Sequence, residues 1–158
     1  MNRICGIFVA FASALALAGF AAAADREPKK FVAVLSGECP QADANWRGVA
    51  VFHVNDDGTV DYRVIANNID EALIGGHIHF LPPGEERGPI VQDLGVTAPP
   101  EAHGVVTEGT FSNPALLAGI RAGNDYYVNL HTETCFLPLG AVRGPLRVAP
   151  RRGVKASE

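Results

Sequence analysis

Residues 48–64, GVAVFHVNDDGTVDYRV, decide the fold class of this chain. On both sides of NDDG, apolar β-branched or aromatic side chains alternate with small or polar ones, as in strands with one buried face. Gly58 ends the turn and can adopt the left-handed backbone conformation that a tight hairpin requires. The stretch therefore predicts two antiparallel strands, at 48–55 and 59–67, joined by a hairpin.

Short runs of the same kind, separated by Gly, Pro, Asn and Asp, continue along the chain. One segment, 113–123, departs from the two-residue period: Asn113 can cap a helix, Pro114 suits its first position and Gly123 suits its end. We therefore predict an all-β fold, an immunoglobulin-like or Greek-key β-sandwich or barrel of about eight antiparallel strands with one short helix. The remaining strands are expected at 31–36, 72–81, 89–94, 104–111, 125–132 and 140–148.

The first 24 residues have the layout of a secretory signal peptide. A cation, Arg3, precedes an apolar run at 7–20 and a stretch of alanines, which places the mature start at Asp25. The run is shorter than the roughly 20 residues of a spanning helix, so no membrane anchor is expected after cleavage. We predict a secreted or periplasmic protein.

The expected mature chain divides into three parts. Residues 25–30 form a linker, 31–149 a single domain, and 150–158 a disordered basic tail. Loss of the signal peptide removes one cation and no acid, so the formal net charge of −4 becomes −5. Because nucleic-acid binding needs clustered cations, we expect a protein or small-molecule partner, of unknown identity, and no nucleic acid.

Two cysteines, Cys39 and Cys135, remain in the expected mature chain. In an exported protein such a pair is more often a disulfide than two free thiols. Thiolate ligation of a soft metal is the alternative, and the lack of a CxxC spacing argues against it. We predict a Cys39–Cys135 bridge.

The segment GGHIHF, residues 75–80, places two histidines on one face of a predicted strand. Side chains alternate along a strand, so Ile78 and Phe80 should face the core, while His77 and His79 share the opposite face. Their Cα atoms would lie about 6.6–7 Å apart, a spacing that lets both rings reach one ion.

A third histidine occupies the outward face of another strand, YYVNLHT, residues 126–132. There Val128 and Leu130 should point inward, and Asn129 and His131 outward. If this strand lies beside GGHIHF, the three histidines could bind Cu or Zn. The alternative is a solvated sheet face that tolerates histidine, and the sequence does not decide whether the strands are neighbours.

Two further histidines are weaker candidates. His103 follows a proline-containing loop and could supply a fourth ligand, whereas His53 alternates with valines and fits a half-buried structural residue equally well. No nucleophile elbow and no phosphate-binding loop is present in the sequence.

The ordered set of segments resembles the CHRD domain, which is named for its occurrence in chordin. The resemblance extends over roughly residues 31–148 and rests on the combination of segments rather than on any one of them. The segments are FVAVLSG (31–37), the opening hairpin at 48–64, GGHIHF (75–80), RGPIVQDL (87–94), YYVNLHT (126–132) and GAVRGPL (140–146).

The resemblance implies an exported immunoglobulin-like β-sandwich or barrel, distantly similar to Cu/Zn superoxide dismutases through its HxH strand. The residues that match the marks of the family are His77, His79, Asn129, His131, and Arg143 with Gly144. The chain lacks the histidine-rich zinc loop of the dismutases, which makes a complete dinuclear site improbable. For Arg143, one reading is an anion contact; the favoured reading is a side chain packed along the sheet and paired with Asp93 or Glu133.

Three functional hypotheses follow. The leading one is a non-enzymatic binding module that holds Cu or Zn through His77, His79 and His131. The second is a mononuclear copper oxidoreductase that acts on superoxide or a related oxidant. The third is a structural or adhesion module without a metal.

Overall fold

A computed structural model describes residues 28–136 and 139–150. The predicted signal peptide, residues 25–27 of the predicted linker and residues 151–158 of the predicted tail lie outside this part of the chain. The elements in chain order are β1 (Lys30–Gly37), β2 (Arg47–Val54), β3 (Val60–Ile69), β4 (Leu73–Leu81), β5 (Ile90–Asp93), β6 (Ala102–Phe111), α1 (Pro114–Arg121), β7 (Asp125–Thr132), β8 (Val142–Pro145) and β9 (Arg147–Val148).

The strands form one curled antiparallel sheet, a half-barrel, which confirms the predicted all-β class with its single short helix. The order across the sheet is β5-β4-β7-β8-β1-β2-β3-β6, and the short β9 also pairs with β1. The curl brings the segment after β5 towards β3 and β6. There the carbonyl oxygen of Leu94 accepts hydrogen bonds from Tyr62 Oη at 2.9 Å and from Thr107 Oγ1 at 3.3 Å.

The core lies on the concave side of the sheet and follows the predicted alternation. Ile78 of β4 and Val128 and Leu130 of β7 are at most 1 % exposed. Phe80 is only partly buried, yet it packs against the same core. Burial of one face of each strand therefore leaves His77 and His79 of β4, and Tyr127, Asn129 and His131 of β7, on the convex side.

The hairpin and the helix form where the local sequence predicts them. Gly58 has a φ of 84°, and Gly123, beyond the helix, has a φ of 81°. Asn113 Oδ1 accepts a hydrogen bond from Leu116 N at 3.0 Å, and Pro114 occupies the first turn. Leu116 and Leu117 are buried, so the helix packs on the core.

The prediction of one continuous strand at 140–148 is wrong. This segment divides into β8, which pairs with β7 and β1, and β9, which pairs with β1 alone. Pro145 has no N–H to continue the ladder. The next residue, Leu146, is buried and donates its own N–H to Tyr126 O at 2.9 Å.

The Cys39–Cys135 disulfide joins the chain after β1 to the chain after β7, with a Cα–Cα distance of 6.0 Å. This agrees with the pairing predicted from the sequence. Within the described ranges, no helix has both the length and the apolar character needed to cross a membrane.

Candidate metal centre

The strands that carry the histidines lie side by side. β4 pairs with β7 in antiparallel register, with His77 opposite Asn129 and His131 opposite Gly75. Because the pairing preserves faces, His77, His79 and His131 all stand on the convex side of the sheet. These three residues form the histidine cluster.

The rings of the histidine cluster are close enough to share an ion after a small adjustment. One ligand nitrogen from each ring lies within 4.8 Å of the others. Three ligands bound to one ion at about 2.0–2.1 Å lie roughly 3.4–3.6 Å apart, so the widest pair must approach by up to roughly 1.4 Å. At Gly75, the rings of His77 and His131 come within 3.4 and 3.8 Å of the position that a Cβ would occupy, which is ordinary van der Waals contact.

Each ring of the cluster has a buried nitrogen without a hydrogen-bond partner among the described residues. The atoms are Nδ1 of His77, Nε2 of His79 and Nδ1 of His131. A buried polar atom that lacks a partner costs about 1–3 kcal/mol, and three such atoms on neighbouring rings are unusual in a native fold. A bound metal ion would accept their lone pairs, so the residues present fit a metal.

Neighbouring backbone fixes how His79 is presented. Its Nδ1 lies 2.9 Å from the carbonyl oxygen of Gly88. A carbonyl only accepts, so Nδ1 carries the proton and Nε2 keeps its lone pair. This is the arrangement by which a backbone carbonyl orients a metal-binding histidine.

The pKa values of all three histidines are lowered, in each case mainly because burial disfavours the charged ring. For His131, the nearby His77 and His79 lower the pKa further, whereas for His77 the carboxylate of Asp93 opposes the shift. For His79, Arg143 also lowers the pKa. The rings are therefore neutral near pH 7, which is the form that binds metals.

Behind His79 lies a stack of side chains that the sequence analysis did not identify. The ring of Tyr127 stacks on His79 at a centroid distance of 4.7 Å and an interplanar angle of 9°. The guanidinium of Arg143 lies 3.6 Å from the centroid of Tyr127. Only the outward position of Tyr127, shared with Asn129 and His131, could have indicated it from the sequence.

Arg143 packs along the sheet as expected, but the predicted pairing with Asp93 or Glu133 is wrong. Arg143 Nη1 instead forms an ion pair with Glu38 Oε1 at 3.1 Å, and Nη2 donates to Glu86 O at 2.7 Å. Glu38 also accepts from Gly140 N at 3.0 Å. Strand pairing explains the choice, because β8 lies beside β1 and not beside β5.

The face that carries the cluster is buried and not solvated. Tyr127, Asn129 and His131 are 3 %, 4 % and 5 % exposed. Two connecting segments cover them: Gly88 N donates to Tyr127 Oη at 3.3 Å, and Phe136 packs edge-on against His131 at 5.5 Å. His77 is only partly buried, so the cluster has one side nearer to solvent.

Asn129, also matched to the family pattern, lies between the cluster and β8. It pairs with His77 on one side and with Arg143 on the other. Its side chain packs against Gly140, where any Cβ would overlap it, and its buried Oδ1 has no partner in the described part of the chain. The close approach of Gly140 holds the amide beside the cluster.

The other two histidines do not join the cluster. His103 is exposed on β6, at the far end of the sheet order, and its Nδ1 accepts from Asn68 N at 3.4 Å. His53 lies on β2 opposite Asp61. The group of candidate ligands found among the described residues is therefore His77, His79 and His131.

A comparison with protein families finds one match, in which the family model of the CHRD domain aligns with residues 31–146. No curated protein matches the chain. A CHRD domain and a disulfide together fit an extracellular protein.

Proposed function

The chain belongs to the CHRD domain family, and from this premise we propose that it is an exported binding module that holds one Cu or Zn ion through His77, His79 and His131. The observation that carries the proposal is the histidine cluster itself: one ligand nitrogen of each ring lies within 4.8 Å of the others, and each ring has a buried nitrogen without a hydrogen-bond partner in the described part of the chain. Imidazole nitrogen suits both metals.

Metal titration of the chain from Asp25 onward tests this function. We expect one ion per chain, and we expect His77→Ala and His131→Ala each to weaken binding by more than the 10–100-fold that follows loss of an outer partner. His53→Ala is the matched control, because this histidine lies outside the cluster, and it should bind as the parent does. If the His77 and His131 variants bind no more weakly than the control variant, the proposal is wrong.

Export is part of the proposal. The signal-peptide layout of residues 1–24 supports it, and the disulfide is consistent with an oxidising compartment. Mass spectrometry of protein recovered outside the cytoplasm should find Asp25 as the first residue. Recovery of the full-length chain from the cytoplasm would contradict it.

A copper oxidoreductase that acts on superoxide is the second candidate, and the partial exposure of His77 favours it. A three-nitrogen site leaves a coordination position open, which redox chemistry at a metal requires. Copper-loaded protein should then remove superoxide faster than the same concentration of free copper. Equal rates would reject the oxidoreductase and leave the binding module as the proposed function. A structural or adhesion module without a metal predicts unaltered stability when all three histidines are replaced.

A further inference from the structure

The ligands in the histidine cluster are all neutral. The group found among the described residues contains three imidazoles and neither a carboxylate nor a thiolate. Cys39 and Cys135 are joined to each other, and the carboxylate of Glu38 is taken by Arg143 and by Gly140 N. Asp93 lies beside His77 across the β4–β5 pair, and its Oδ1 accepts from Gly95 N.

Because the site is largely buried, the charge of the ion determines how much free energy is lost when the ion leaves water. The cost of taking an ion out of water rises with the square of its charge, so a monovalent ion pays about a quarter of the cost of a divalent one. Structural zinc sites and calcium sites commonly offset this cost with thiolate or carboxylate ligands, and Zn²⁺ held by three histidines alone depends on a bound water whose pKa it lowers. Here two of the three ligands are at most 9 % exposed, and the ligand set supplies no negative charge.

A fixed cation behind the cluster, Arg143, increases the difference in cost between a divalent and a monovalent ion. Arg143 stacks on Tyr127, which stacks on His79, so the guanidinium lies roughly 8 Å behind a ligand ring. Glu38, which pairs with Arg143 at 3.1 Å, and Asp93, which lies opposite His77, are the carboxylates that reduce the effect of this guanidinium. Arg143 therefore adds repulsion to a second unit of positive charge on the ion, and these two carboxylates offset part of it.

The arrangement of the three ligand rings also favours Cu(I). His79 is held by Gly88 O on one ring edge and by Tyr127 on one ring face. His131 is in contact with Phe136. Three nitrogens can satisfy Cu(I), which accepts low coordination numbers, whereas Zn²⁺ takes a fourth ligand, a protein group in structural sites or a water in three-histidine sites, and Cu²⁺ prefers tetragonal geometry.

We propose that the histidine cluster selects monovalent copper, Cu(I), over both Zn²⁺ and Cu²⁺, and that Arg143 contributes to this selection. The proposal rests on the proposed metal-binding function and names the ion that the site takes. Arg143 is a positioning and charge-setting residue in this account, since Tyr127 separates it from the ligands.

The test is a set of affinity measurements on the chain from Asp25 onward. Cu(I) affinity is measured without oxygen by competition with a chromophoric Cu(I) chelator, and Zn²⁺ affinity by competition with a zinc dye. We expect a Kd for Cu(I) at least about 100-fold below that for Zn²⁺, and a Cu(II)/Cu(I) reduction potential above that of aqueous copper. Equal or tighter Zn²⁺ binding, or a potential at or below the aqueous value, overturns the proposal and leaves the metal-binding function standing. Binding of neither metal overturns both.

An Arg143→Gln variant tests the role of the guanidinium. If the ion is about as far from Arg143 as the His79 ring is, roughly 8 Å, a unit charge changes the affinity ratio between divalent and monovalent ions by roughly twofold to thirtyfold, depending on the effective dielectric constant. The Cu(II)/Cu(I) potential should fall accordingly. Arg147→Gln is the matched control, because Arg147 pairs with the exposed Asp125 and lies outside the stack. An unchanged potential in a folded Arg143→Gln protein removes Arg143 from the proposal, and the wild-type affinities decide the rest.

Discussion

Removal of the Cys39–Cys135 bridge is the perturbation whose cost follows most directly from the structure. The two cysteines are 96 residues apart in the sequence. In the chain-entropy relation, closing a loop of this length in the unfolded chain contributes about 4.7 kcal/mol to the free energy of unfolding. Because unfolded chains are already partly compact, this value is an upper bound, and we expect a loss of about 3–4.7 kcal/mol.

Urea unfolding of three proteins separates the contributions: oxidised wild type, wild type reduced with a dithiol, and the Cys39→Ser/Cys135→Ser variant. The reduced wild type keeps both sulfur atoms, so it reports the loss of the cross-link alone. The serine variant should lose somewhat more, since Cys135 is 2 % exposed and a hydroxyl there is buried. The m-value should rise in both, because the unfolded chain without a bridge exposes more surface.

Two results would refute this reasoning. A loss below about 1 kcal/mol in the reduced protein, with the same m-value as the oxidised form, would show that the bridge does not restrict the unfolded chain as assumed. A large loss in the serine variant alone would assign the effect to packing around Cys135.

Three further predictions concern the packing of β8, the protonation of the histidine cluster and the stack on His79. Gly144→Ala should destabilise the fold by about 3 kcal/mol or more in urea unfolding, because its methyl group would lie 1.9 Å from Val34 O. Because burial lowers the pKa values of the histidine cluster, the folded state binds fewer protons than the unfolded state. The free energy of unfolding of the metal-free protein should therefore be highest above pH 6.5 and fall as the pH decreases below that value. Replacement of all three histidines by alanine should flatten this profile. Tyr127→Leu should weaken metal binding by about 10–100-fold through loss of the stack on His79, whereas Tyr62→Leu, on β3, should not.

Alternation allowed the sequence to predict which side chains of each strand share a face. Within GGHIHF, the apolar Ile78 marks the core side, and that alone places His77 and His79 together on the other side. The hairpin and the helix were predictable for a related reason, since Gly58 and Asn113 act through contacts with residues a few positions away. Such features depend on local chain geometry and need no knowledge of the sheet order.

The environment of the convex face could not be predicted in the same way. A polar side chain at an outward position ordinarily meets water, and the prediction for Asn129 and His131 assumed so. Their burial results from the segments that contain Gly88, Phe136 and Gly140, which reach this face from other parts of the chain. Composition does not report where a connecting segment packs. The same limitation explains why Glu38, and not Asp93, pairs with Arg143.

The decisive unknown in the sequence was whether β4 and β7 are neighbours, because 43 residues and three other elements separate them. Pairing over this distance depends on the curl of the whole sheet, which inserts β7 between β4 and β8. Once the strands are adjacent, register decides the site: His77 opposite Asn129 puts His131 diagonally across from His77, over Gly75. A shift of one residue in that pairing would turn His131 into the core and bring Leu130 to the convex face. The buried Leu130 and Val128 prevent such a shift, so the hydrophobic core fixes the position of the third ligand.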